Sequence, residues 1–435
     1  MKTERKKTFS YHQKVEKLFL KIEKKIKRPM TFTGKRTLEA IIFLILFIAF
    51  FAAIAHVMTL PKMLSTLMQT AYSLLMETVF YIMAICVLTG AIGKLLTEFG
   101  VVRLMENILR PLMKPLYNLP GVAALGAVLT FLSDNPAIIT LSKDKNFSRY
   151  FKKYQLVSLT NFGTAFGMGL MVLAFMTGIG YGKSAVLGIV GAVIGSIVST
   201  RLMQRFTLKS FPELDTPVID EAEEEPLTGT AQPEGMATDT AAAPQKLEGD
   251  EQQITYKSEG SPFMRFLNGI LDGGKEGVSI GLAIIPGVLV ISTLVMMMTF
   301  GPSGENGAYL GVAYEGVPII TKLADKINIV FYWLFGFQFP QLISFPITAL
   351  GAVGAALGLV PKFIAQGIID SNAIAVFTAM GMCWSGYLST HTAMLDSLGY
   401  RKLIGKAIAA HTIGGLVAGI AAHWIHVPLA LLGIM

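Results

Sequence analysis

Runs of about 20 apolar residues recur along the whole chain, near 37–60, 72–97, 119–142, 155–180, 184–204, 278–300, 331–358, 363–388 and 404–426. A stretch of that length matches the hydrocarbon thickness of a bilayer when it is helical. In lipid every backbone polar group must be satisfied internally, so only helices and closed barrels span. A barrel would show short alternating segments rather than continuous apolar runs. Charged residues make up only 15% of the chain and hydrophobic residues 52%, far from the soluble norm of about 25% charged. The fold class expected is therefore an all-α polytopic membrane protein.

Charge placement says more than the net charge of +8. Residues 1–36 hold 13 Lys or Arg against three acids, a positive-inside signal that sets the N-terminus in the cytoplasm. Within it, "KVEKLFLKIEKKIK" (14–27) spaces Val15, Leu18, Leu20, Ile22 and Ile26 among lysines, which suits an amphipathic helix on anionic lipids. No aromatic interleaving or binding motif supports a nucleic-acid arm. Cys86 and Cys383 are isolated in apolar runs and read as small core residues. The first apolar run is long and lacks a cleavage pattern, so it reads as a retained helix. A multi-pass protein of a prokaryotic plasma membrane is the expected setting.

One stretch differs from the rest. From Glu213 to Glu251 there are 12 acids and a single base, Lys246. Such composition cannot bury enough surface to fold. Four segments follow: a basic cytoplasmic part at 1–36, a first membrane half at 37–206, an acidic disordered linker at 207–262 and a second membrane half at 263–435. The halves share a pattern. "LSDNPA" (132–137) aligns with "LSTHTA" (388–393), and each precedes a basic segment, 143–153 and 399–406. Upstream, 77–93 resembles 276–292 and 99–108 resembles 315–327.

Topology sharpens this picture. If 119–142 enters the membrane and turns back, the five Lys/Arg of 143–153 stay cytoplasmic, and so do Arg201, Arg205 and Lys209. Pro136 and the Ser-Asp-Asn run suit the tip of such a re-entrant hairpin. The second half then runs in the opposite sense, giving two inverted repeats with broken helices around a central polar site, a design common among secondary transporters. Strict inversion would turn Arg401, Lys402 and Lys406 outward, and 331–388 is longer than its counterpart.

An ionisable side chain at mid-bilayer costs on the order of 2.5–3.5 kcal/mol, so its presence asks for a reason. One polar group comprises Ser133, Asp134, Asn135, Thr140, Thr160, Asn161 and Thr164. The other comprises Asp370, Ser371, Asn372, Ser389, Thr390, His391, Thr392, Asp396, His411 and Thr412. Inverted repeats would bring both to one cavity. The substrate-binding residues expected are Ser133, Asp134, Asn135, Thr160 and Asn161 from one side, with Asn372, Ser389, His391, Thr392 and His411 from the other. Each has a plainer reading. Ser and Thr bond back to helix carbonyls, Asn135 caps the helix that Pro136 opens, and the histidines are satisfied packing residues.

P-loop, G-x-S-x-G, H-E-x-x-H and C-x-x-C motifs are absent, and no nucleophile–base pair stands out. Neither an enzyme nor a resident cofactor or metal is expected. "LNGILDGGKEGVSIGLAIIPGVLVISTLVMMM" (267–298) and "LPGVAALGAVLTFLSDNPAIITL" (119–141) resemble the nucleoside-recognition, or Gate, domain. That domain occurs in concentrative nucleoside transporters, spore maturation proteins A and B and the membrane part of ferrous iron transport protein B. The resemblance spans about 65–205 and 262–426. It implies re-entrant hairpins around a central site and transport, and the function expected is a secondary transporter or exporter of a small polar solute, nucleoside-like by family label only, with H⁺ or Na⁺ as candidate coupling ions. A non-transporting scaffold or assembly subunit and an intramembrane enzyme are the rival readings. A homo-oligomer is left open.

Overall fold

The computed structural model describes residues 32–218 and 261–435. The basic stretch at 14–27, with its expected lipid contact, and most of the acidic linker lie outside the described residues. The chain divides into two compact units, 1–63 and 64–435. In the first, α1 (Phe32–Met58) is a 27-residue helix whose Ile45, Leu46 and Phe47 are exposed, as lipid contact demands. Helix α2 (Leu60–Ser73) continues into the second unit. The described residues are helical and connecting structure, with a single isolated bridge between Lys152 and Pro217. Among the described residues six helices are long and apolar enough to cross a bilayer, so this is a multi-pass membrane protein.

In the second unit α2 passes through a π-turn (Leu74–Val79) into α3 (Phe80–Glu98), which Gly100 ends at φ +77°. Helix α4 (Val101–Leu112) follows. Two short helices, α5 (Ala123–Leu132) and α6 (Pro136–Lys143), pack on each other across the break at Ser133–Asn135. Then come α7 (Lys153–Thr164) and α8 (Gly169–Gly178), one span interrupted at 165–168, and the unbroken α9 (Gly182–Ser210).

The same order recurs after the linker. Helix α10 (Pro262–Ala283) passes a π-turn at Gly287–Ser292 into α11 (Thr293–Thr299). Pro286, lacking an N–H, sits immediately before that turn. A short packed pair follows, α12 (Ser344–Ala349) and α13 (Val353–Leu357). Next are α14 (Ser371–Cys383) and α15 (Tyr387–Ser397), interrupted at 384–386, and the unbroken α16 (Ile404–Leu431). Element order thus sets α12/α13 opposite α5/α6. The match of 388–393 with 132–137 is not a structural equivalence, because 388–393 lies in the second arm of a broken helix. With α12/α13 set opposite α5/α6 the extra length of 331–388 disappears, since 123–178 and 344–397 are nearly equal stretches.

Corresponding spans, 60–98 with 262–299 and α9 with α16, touch at small residues. On α10, Gly269, Gly273, Gly277 and Gly281 form a buried stripe against α3. A Cβ at Gly273 would lie 2.3 Å from the Gly90 carbonyl oxygen, and one at Gly277 would lie 2.2 Å from that of Cys86. As numbers rise on α10 they fall on α3, so the pair is antiparallel. Helices α9 and α16 repeat the arrangement, with Gly191 against Ala418 and Gly195 against Gly414. Small residues allow such backbone approach where lipid supplies no hydrophobic drive.

The basic clusters share one end of this unit. Arg201 donates to the carbonyls of Leu116 and Pro115, at 2.9 and 2.7 Å. Lys152 pairs with Asp215 at 2.8 Å, and Lys406 lies over the Phe211 ring. Arg401, Lys402 and Lys406 therefore join 143–153 and 201–209 instead of facing the other way, because α16 starts where its antiparallel partner α9 ends. The linker also begins later than composition implies. Helix α9 runs to Ser210, and 211–218 fold back so that Lys153 and Val218 bond the backbone of Thr216 and Phe151.

At the other end, the loop after α11 is organised by one carboxylate. Glu315 is fully buried and accepts backbone N–H groups of Ser303, Leu310, Gly311 and Val312 at 2.7–3.3 Å. Burial alone would push its pKa up; the four donors outweigh this and hold it below the usual value of 4.5. The stabilisation is present above the unfolded-state value and is lost as pH falls through the folded-state one. Glu315→Gln should cost about 1.5–3 kcal/mol, read as a lower thermal midpoint at pH 7. Wild type should lose that advantage over the variant on acidification below about pH 4.

Candidate functional site

Pro136 opens α6 without an N–H to offer, and Ser133, at φ −120° and ψ −105°, is outside helical geometry. The Ser133 hydroxyl donates back to the Leu129 carbonyl at 2.8 Å. That leaves Asp134 and Asn135 at the tip. Asn135 Nδ2 donates to Asp134 Oδ1 at 2.9 Å and reaches Ser385 Oγ at 3.5 Å. Ser385 in turn donates to the Thr164 carbonyl at 3.0 Å. Thr164 ends α7 and Ser385 lies in the α14–α15 interruption. The two broken spans therefore cross break against break, with Asn135 wedged between them.

The crossing tolerates no extra atom. A Cβ on Gly167 would fall 2.3 Å from Ser385 Oγ and 2.5 Å from Asn135 Oδ1; one on Gly386 would fall 2.4 Å from Asn135 Nδ2. Asn135 is 5% exposed and its Oδ1 has no protein partner.

Beside the tip lies an open cavity of about 650 Å³, within the range of small-molecule sites. Asp134 and Glu276 line it, with Ser133, Thr140, Ser279 and Ser385 as further polar groups and Met168, Ile280 and Ile284 as apolar wall. No Lys, Arg or His is among its described lining residues. A smaller space of about 150 Å³ shares Ser133, Met168, Glu276 and Ile280 and adds Lys94, Thr89 and Thr97.

A second polar cluster sits behind the crossing, where α7, α9, α15 and α16 meet. Asn161 Nδ2 donates to Ser199 Oγ at 3.0 Å and to the Ala407 carbonyl at 2.9 Å. Ser199 Oγ meets His411 Nδ1 at 3.0 Å, and His411 Nε2 bonds the Cys383 carbonyl. His391 lies beside His411, with ring centroids 4.5 Å apart and the rings tilted by 56°, and its Nδ1 bonds the Tyr387 carbonyl. Thr160, Asn161, His391 and His411 are fully buried, and none lines either cavity.

Asn372 belongs to a third group. It donates to the Phe335 carbonyl and accepts from His423, both at 2.9 Å, while Ser371 bonds His426. Eleven residues of α14, about 16 Å along a helix axis, separate it from Cys383. Ser389 and Thr392 are exposed on α15 and line neither cavity. The ten expected residues thus fall into a tip, a buried core, a distant group and an exposed pair. Reading the sequence misses Glu276, Ser199, Ser385, Gly167 and Gly386. Of these only Glu276 carries a signal, as an acid interrupting the glycine stripe of "GGKEGVSIG".

Residues 79–180 match the family model described as Gate: Nucleoside recognition. The chain contains a Gate region. That region runs from the start of α3 through α8 and carries the tip and the α7–α8 interruption; Glu276, Ser385 and both core histidines lie outside it. The chain is also similar to solved structures of CNTnw. One, in an inward-facing substrate-bound state, is 12% identical with TM-score 0.46, covering 90% of this chain and 87% of that one. Another, in an outward-facing state, is 12% identical with TM-score 0.45, covering 91% and 86%. A third, in an intermediate state, is 13% identical with TM-score 0.46, covering 78% and 75%. No curated protein matches.

Gly386→Ala should destabilise the protein by about 1–3 kcal/mol through overpacking against Asn135. Thr390 Oγ1 stands nearer still, 2.2 Å from that Cβ, so Asn135→Ala in the same chain should recover only part of the loss, measured as thermal midpoints of both singles and the double.

Proposed function

We propose that the protein is a secondary transporter of a small polar solute in the plasma membrane, with the solute held at the 650 Å³ cavity beside Asp134. One observation carries the reading: two broken membrane helices cross at their interruptions against a hydrophilic tip, next to an open cavity. Irregular backbone at membrane depth is tolerated where protein or a water-filled space lines it, and broken helices at a repeat interface are how many transporters build their sites. The matching element order of the two halves, and the antiparallel contacts of α3 with α10 and α9 with α16, support inverted repeats. The shared basic end supports a cytoplasmic placement for 143–153, 201–209 and 401–406.

The lining bears on the solute. Asp134 and Glu276 offer acceptors, and no basic side chain lines this cavity itself, Lys94 lying in the smaller adjoining space. A solute rich in hydrogen-bond donors or carrying a positive charge fits best, with H⁺ or Na⁺ as coupling ion. Burial of the ligand against Ile280, Ile284 and Met168 would supply the apolar contact.

The test is uptake into proteoliposomes of a radiolabelled panel of nucleosides, amines and amino acids. Wild type should accumulate at least one member. Asp134→Asn, which keeps the shape and removes the charge, should lower that uptake roughly tenfold or more, the scale of one lost charge-assisted contact. Equal rates in the two proteins would remove Asp134 from the site.

A further inference from the structure

We propose that the pocket where α9 leaves the membrane binds the phosphate of an anionic phospholipid, held by Arg201, Arg205 and Tyr154, with the acyl chains against the exposed apolar face of α4.

The pocket measures about 230 Å³ and is lined by Asn118, Tyr154, Arg201, Gln204, Arg205 and Leu208. Positions 201, 204, 205 and 208 share one face of α9. Asn118 ends the π-turn Met113–Tyr117 in left-handed geometry, at φ +55°, and Tyr154 sits in the first turn of α7. The floor is a connected network. Asn118 Nδ2 donates to the Tyr154 hydroxyl at 3.1 Å and to Gln204 Oε1 at 3.2 Å. Gln204 Nε2 donates to the Tyr117 carbonyl at 2.9 Å and to Ser158 Oγ at 3.2 Å. Tyr154 and Gln204 are both buried.

Counting hydrogens shows what is left over. Arg201 uses Nε on the Leu116 carbonyl and Nη2 on the Pro115 carbonyl. Those bonds fix the plane of its guanidinium and leave three of its five N–H bonds unspent. Arg205 is exposed, and its five N–H bonds have no protein acceptor among the described residues. The Tyr154 hydroxyl accepts from Asn118, so its own hydrogen remains for another acceptor. No Asp or Glu is among the described lining residues, and Asp215 is taken by Lys152 at 2.8 Å. Two positive charges and a hydroxyl donor around one space call for an oxyanion. Guanidinium forks match phosphate oxygens in geometry as well as charge.

Depth favours a lipid over a free phosphate. Residues 184–200 of α9 carry no charge. That run is about 26 Å long as a helix, close to the roughly 30 Å of a hydrocarbon core. Arg201 and Arg205 follow it and stand at headgroup level. Beside them runs an apolar surface. Leu104, Ile108, Leu112 and Leu116 recur every four residues along α4 and its π-turn, and all four are exposed, while Val102 and Glu106 are buried on the opposite side. A helix of this pattern lies in the plane of the membrane interface. Leu116 belongs to the very backbone that Arg201 grips. A phospholipid can place its phosphate between the arginines and its chains on that surface, whereas free phosphate gains only the first contact. Basic pockets between membrane helices recognise lipid headgroups in this way. The site depends on the membrane setting of α9 and not on the transport reading.

The test is native mass spectrometry of the full chain, delipidated in detergent and titrated with phosphatidylglycerol, phosphatidylcholine or inorganic phosphate. Wild type should bind one phosphatidylglycerol ahead of all others. Phosphatidylcholine, whose ammonium opposes the arginines, should bind severalfold more weakly. Arg205→Gln should weaken phosphatidylglycerol binding about tenfold, the scale of one lost charge-assisted contact. Lys209→Gln removes the same charge one turn further along α9, outside the pocket, and should leave the affinity unchanged. Equal losses in the two variants would mean diffuse attraction to a basic surface and would overturn the site. So would an Arg205→Gln chain that binds as tightly as wild type, or equal affinity for the two lipids. Displacement of the lipid by inorganic phosphate would assign the pocket to a soluble oxyanion and overturn the lipid. None of these outcomes touches the Asp134 uptake result, so the two claims fail separately.

Discussion

A helix broken inside a membrane leaves backbone groups that lipid cannot satisfy, and this protein meets that constraint by setting its breaks against each other. The Thr164 carbonyl, at the end of α7, accepts from Ser385 in the α14–α15 interruption. Asn135, from a third interruption, closes the junction by reaching Ser385 while holding Asp134. Each discontinuity is stable because the others are present. Removing one would strand polar groups at a cost of about 1–3 kcal/mol each.

The rest of the second unit holds that junction in place. Glycine stripes let α3 meet α10, and α9 meet α16, at backbone contact, so the frame has little slack. Against α10 and the tip lies the looser space beside Asp134. The Gate region contributes α3 and the tip; α9 follows it, and α10 and α16 come from beyond the linker.

Fold class is legible in the sequence because apolar run length maps directly onto bilayer thickness. The break at "LSDNPA" is legible for a similar reason, since Pro136 and three polar residues cannot continue a lipid-facing helix. What fails is the pairing of halves. Apolar segments resemble one another by composition, so "LSTHTA" attracts "LSDNPA" although it occupies a different element. Facing is equally hidden. Ser389, His391 and Thr392 lie within four residues, yet one helical turn buries the histidine and exposes the other two. Glycines carry no chemistry to notice, so Gly167 and Gly386 emerge only when the gap they leave is filled by Asn135.

The most direct measurement of the crossing is a disulfide trap. Cysteines replace Asn135 and Ser385 in a chain whose Cys86 and Cys383 are changed to alanine, with a protease site inserted between 219 and 260. After mild oxidation in native membranes and cleavage, the two halves should stay joined on a non-reducing gel and separate when reduced. Halves that part without reductant would contradict the junction on which the whole architecture is built.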